Sequence, residues 1–70
     1  MMPLTMANAG EENIIKKVGG KEDTRRVLEN LGFVVGAAVT VISQVEGNII
    51  VNIKDSRVAI GKDMANKIMV

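Results

Sequence analysis

The spacing of apolar residues changes twice along the chain. Those changes divide it into a β-like start, a helix and a β-rich remainder. Ile14, Ile15 and Val18 are β-formers and Gly19-Gly20 ends their run, which predicts a first strand over Glu12–Val18. Its alternation is imperfect and fixes no register. From Lys21 to Leu31 the period becomes helical, with Thr24, Val27, Leu28 and Leu31 on one stripe. Glu22 and Asp23 put negative charge in the first turn, where the helix dipole is positive. Gly32 suits the left-handed position just past the helix. Phe33 is then placed to pack back on Leu28, as a Schellman ending favours.

Beyond Gly36 the period falls to two. Val39, Val41 and Ser43 alternate with Thr40, Ile42 and Gln44, and Glu46-Gly47-Asn48 reads as a turn. Ile49, Val51 and Ile53 form one face, with Ile50, Asn52 and Lys54 on the other. Asp55-Ser56 reads as a second tight turn, and Val58 and Ile60 continue the inward face until Gly61 breaks it. Lys62–Asn66 can make one helical turn and Ile68–Val70 a closing strand. Met1–Gly10 reads as a lead-in in which Leu4 and Met6 are spaced to tuck against the body. Strands this short and closely spaced curl into a closed structure rather than an open sheet. The expected fold is mainly β: a small SH3-like β-barrel with one α-helix inserted after the first strand and a short helical turn before the last.

Length and composition narrow the function. Seventy residues make one domain, expected over residues 1–70. A domain of this size has little room for a deep cleft. There is no cysteine, which excludes disulfides and thiolate chemistry and makes the cytoplasm the simpler home. No signal peptide is expected at the start, and no apolar run approaches the roughly 20 residues of a membrane helix. Nine Lys and Arg against eight Asp and Glu give a net charge of +1, unlike the strongly basic face of a nucleic-acid binder. Phe33 is the single aromatic residue.

Three stretches of the chain resemble the ferrous-iron transport protein A (FeoA) family. They are Gly19-Gly20 with Thr24-Arg25-Arg26-Val27-Leu28; the exit Leu31-Gly32-Phe33 with Gly36 after it; and Arg57-Val58-Ala59-Ile60 through Met64-Ala65 to Ile68-Met69-Val70. Their order within the chain is more specific than any one of them, and the likeness runs from about Pro3 onward. The resemblance implies an SH3-like barrel and a partner, the large membrane ferrous-iron transporter that carries a cytoplasmic G-protein domain. It implies an accessory or regulatory role in iron uptake. A similar barrel closes metal-dependent repressors of the diphtheria toxin repressor type, but no DNA-binding helix-turn-helix is present here.

The side-chain inventory favours contact over chemistry. With no histidine, a catalytic base would have to be Asp, Glu or Lys with a shifted pKa, and Gly19-Gly20-Lys21 is too short for a phosphate-binding loop. No catalytic residue and no cofactor is expected. Iron sites prefer His with carboxylate, or Cys; only Glu11-Glu12 and Glu22-Asp23 pair carboxylates, and neighbours in sequence diverge on strand and helix alike. No metal ligand is assigned, although direct binding of ferrous iron through carboxylates, in a metal-responsive domain, is the alternative function. Met64 and Met69 suit core gaps. One phenylalanine cannot line a proline-peptide groove. Lys16, Lys17, Lys21, Arg25 and Arg26 form a local basic cluster without the aromatic platforms of single-strand binders, and Arg25–Glu29 and Glu22–Arg26 are spaced to pair on the helix. No nucleic acid and no membrane insertion are expected. Protein binding remains, with Arg25, Arg26, Leu31, Phe33 and Arg57 as the contact residues. The exposed strand edges of a small barrel also permit weak homo-oligomers.

Overall fold

Two antiparallel sheets close over a single apolar core. The computed structural model describes residues Met1–Val70. A 3-10 turn at Leu4–Met6 precedes β1 (Glu12–Ile14), β2 (Lys17–Val18), α1 (Glu22–Asn30), β3 (Ala38–Val45), β4 (Asn48–Ile53), β5 (Ser56–Gly61), α2 (Lys62–Ala65) and β6 (Ile68–Met69). One sheet has the order β1-β3-β4-β5, and β2 pairs with β6 in the other. The N-terminal segment widens the smaller sheet. Met2 and Val70 exchange backbone hydrogen bonds of 2.9 and 2.8 Å, and Pro3 bridges Met69. Leu4 is sealed in the core as expected, but Met6 stands exposed, because its turn carries it to the outer side.

The predicted first strand is two strands in two sheets. β1 pairs with β3, Asn13 opposite Val39. Ile15 still donates to the Ala37 carbonyl (2.9 Å) and accepts from the Gly36 N–H (2.8 Å), whereas the Lys16 N–H donates to Met69 (2.7 Å). The chain therefore crosses from one sheet to the other between Ile15 and Lys16, pinned by the buried Ile15 side chain. A change of partner mid-run resets which side chains point inward, and this is why the alternation looked imperfect.

The meander follows the expected period. Val39, Val41, Ile49, Val51, Ile53 and Ile60 are buried, and β3–β4–β5 pair in sequence. Ile42 is the extra residue of a bulge between Val41 and Ser43, which adds twist. The second hairpin turn is Lys54-Asp55, one residue earlier than expected, and Ser56 already pairs with Ile53. Fourteen buried apolar residues make the core, with Phe33 and Leu28 at its helical side.

Candidate functional site

The surface that the sequence marks out is α1 and its exit. The Phe33 N–H donates to Leu28 and the Gly32 N–H to Glu29, both at 2.9 Å, the paired bonds of a Schellman ending. Gly32 sits at φ +105, and a Cβ there would meet the Lys54 stem at 3.3 Å. This exit makes Leu31 the cap that follows the helix and drives Phe33 inward. Phe33 is 0% exposed, so it has no surface to offer a partner. Its place among the expected contact residues is corrected: it anchors the surface from beneath.

The apolar stripe is only partly used for burial. Leu28 is sealed, but Val27 is 49% and Leu31 41% exposed. Val27 and Leu31 are four apart and therefore neighbours on the helix surface. The sequence places Val27 on the same apolar stripe as Leu28. Its i,i+4 spacing from Leu31 was visible, but a nine-residue helix on a small core can seal only its innermost line. Ile14 and Val35 are also exposed, at 48% and 67%.

Arg25 and Arg26 are both exposed. The Arg26 guanidinium donates to Glu22 Oε1 at 3.2 Å, an ion pair between side chains that are two-thirds or more in water, so it contributes little to stability. It is the single ion pair of the chain; the spacing of Arg25 and Glu29 does not produce a second. Arg57 lies elsewhere, on β5 opposite Asn52. The five expected contact residues thus separate into Arg25, Arg26 and Leu31, each exposed on α1 or its exit, Phe33 in the core beneath, and Arg57 on the sheet.

The outer face of the four-stranded sheet carries a shallow hollow of about 630 Å³, with Glu12, Thr40, Asn52, Lys54 and Asp55 in its lining. No polar or charged side chain of the chain is buried, so the hollow holds no desolvated acid or base of the kind catalysis draws on. No three acidic, imidazole or thiol groups come together to hold a metal ion. Glu11 accepts from Asn8 Nδ2 at 3.3 Å, while Glu12 faces the hollow. No helix is long and apolar enough to cross a membrane.

The family model and the curated relative agree on one family. The FeoA domain model matches residues 2–70. A candidate Fe(2+) transport protein A from Methanocaldococcus jannaschii is 39% identical over 70 residues, all of this chain and 85% of the relative. The crystal structure of an iron uptake regulatory protein, FeoA, superposes with TM-score 0.89 at 32% identity, over 97% of this chain and 92% of that one. A zinc complex of FeoA from Stenotrophomonas maltophilia has TM-score 0.84 at 21% identity, over 99% and 88% of the two chains. That protein is described as a prokaryotic SH3 domain protein and offered as a ferrous iron transport activating factor. The fold here is accordingly the SH3-like barrel expected from the strand pattern.

Proposed function

This chain belongs to the FeoA domain family, and from that premise we propose that it is a cytoplasmic accessory protein of ferrous-iron uptake that docks on the G-protein domain of the iron transporter and performs no covalent chemistry itself. The observation that carries the reading is the half-exposed pair Val27 and Leu31, on a helix that also exposes Arg25 and Arg26 around its girth. Arginine is among the residue types enriched at contact hot spots, and exposed apolar side chains around such anchors help exclude water from a contact. The Schellman exit, with Phe33 and Leu28 beneath it, holds that surface rigid, so little ordering entropy opposes binding.

Titration calorimetry between the purified protein and the transporter's cytoplasmic region, with and without guanine nucleotide, tests it. Saturable binding in at least one nucleotide state is expected, weakened about tenfold or more by Leu31→Asp, which puts a charge into the contact. Absence of binding in every nucleotide state and to the full-length transporter in membranes overturns the reading. The metal-responsive alternative gains nothing from the donor set, which gathers no three ligands.

A further inference from the structure

The register of the large sheet produces a pattern outside α1. Glu12 lies opposite Thr40, Thr40 opposite Asn52, and Asn52 opposite Arg57. Directly paired residues share a face, so one row crosses all four strands in the order Glu12, Thr40, Asn52, Arg57. None of its members is buried, whereas the inward neighbours Val39, Val41, Val51 and Ile53 are. The row is an acid at one edge, two neutral hydrogen-bonding side chains in the middle and a base at the other edge. With strands about 4.8 Å apart, its ends are separated by about 14 Å. Neither end is satisfied within the molecule, since the single ion pair of the chain is Arg26–Glu22.

Such a row is its own complement. Turn a second copy about a two-fold axis parallel to the strands, running between Thr40 and Asn52, and lay it face to face. Its Arg57 then meets Glu12 and its Glu12 meets Arg57, while Thr40 and Asn52 face one another across the axis. The next row keeps its place along the strands under the same rotation. It contains Ser43 on β3, half-buried Ile50 on β4 and Ala59 on β5, so Ile50 of each copy meets Ser43 of the other across the axis and the centre of the contact is mixed rather than apolar. The hollow beside Glu12 gives the incoming guanidinium of the second copy room to enter. We propose that the outer face of the β1-β3-β4-β5 sheet is an isologous dimer interface, closed by two Glu12–Arg57 pairs between copies.

The patch is small. About 14 Å across and three rows long, it buries on the order of 400 Å² from each copy, below the size of a standard interface. The dimer is therefore a weak one, strengthened at low ionic strength because its pairs are exposed at the rim. It uses none of the α1 residues, so it stands or falls apart from docking on the transporter.

Sedimentation equilibrium from tens of micromolar to about 1 mM at low salt, the range a small interface demands, tests the proposal. Wild type is expected to associate. Glu12→Arg and Arg57→Glu are each expected to weaken association about tenfold or more, because each sets like charges face to face. The exchanged variant Glu12→Arg/Arg57→Glu is expected to recover it. All these positions are exposed, and circular dichroism melts check that the fold persists. A monomer at every concentration overturns the proposal and leaves the face to a partner of another sequence. Association insensitive to the single reversals, or unrecovered in the exchanged variant, overturns it equally.

Discussion

The helix α1 and the strands β3 and β4 divide the labour of this molecule unequally. β3 and β4 seal Val39, Val41, Ile49, Val51 and Ile53, on an alternating pattern that leaves few inward positions open. α1 spans nine residues and seals only Leu28, with Val27 and Leu31 at its margins left half in water. Apolar area removed from water is the main stabilising term, about 25 cal/mol per Å², so the sheet holds the fold and the helix contributes mainly through Leu28 and its exit. Side chains the core does not need are free to contact something else.

Substitutions can break that contrast. The largest effect is expected at Ile53→Ala, a buried truncation costing about 2–5 kcal/mol, enough to lower the melting temperature by roughly ten degrees or more in a domain this size; a thermal melt checks it. Gly32→Val comes next. A β-branched residue resists φ +105 and its Cβ crowds Lys54 at 3.3 Å, so a loss of about 1–3 kcal/mol is expected in urea titration. If wild-type stability survives, the helix exit has been misread. Val27→Ala should cost less than about 1 kcal/mol, because half of the side chain is already solvated, while weakening binding to the transporter's cytoplasmic region. A stability loss as large as that of Ile53→Ala would erase the difference between helix and sheet.

The two hairpin turns sharpen the point within the sheet. Both are two-residue loops with positive φ throughout, as the twist of such hairpins demands. Glu46-Gly47 puts glycine at φ 78, but Lys54-Asp55 holds non-glycine residues at φ 50 and 62. Asp55→Gly is expected to change stability least, raising it by about 0.5 kcal/mol as left-handed strain is relieved against a more flexible unfolded chain. A chemical denaturation midpoint that falls would show that the Asp55 side chain supports the turn.

Much of this was readable in the residues. Leu28, Gly32 and Phe33 each have a local physical reason for their type, so the helix exit needed no tertiary information. The face of β4, and that of β3 as far as Val41, followed from alternation alone; the bulge at Ile42 then turns Ser43 outward. What escaped was decided by distant partners. Ile15 ends one pairing and Lys16 begins another with Met69, and no local pattern announces which sheet a residue will join. The Lys54-Asp55 turn was displaced by one residue because aspartate and serine are common turn formers, whereas pairing of Ser56 with Ile53 decided the register. At the surface, Arg25, Arg26 and Leu31 are each exposed, Phe33 belongs to the core, and Arg57 joins Glu12 in a row that only strand register reveals.

Backbone amide shifts of the labelled protein, followed as the transporter's cytoplasmic region is added, test the central claim most directly. The account predicts perturbations concentrated over Lys21–Leu31, with β3 and β4 quiet. Perturbations centred on Glu12, Thr40, Asn52 and Arg57 instead, or none at saturating partner, would contradict it.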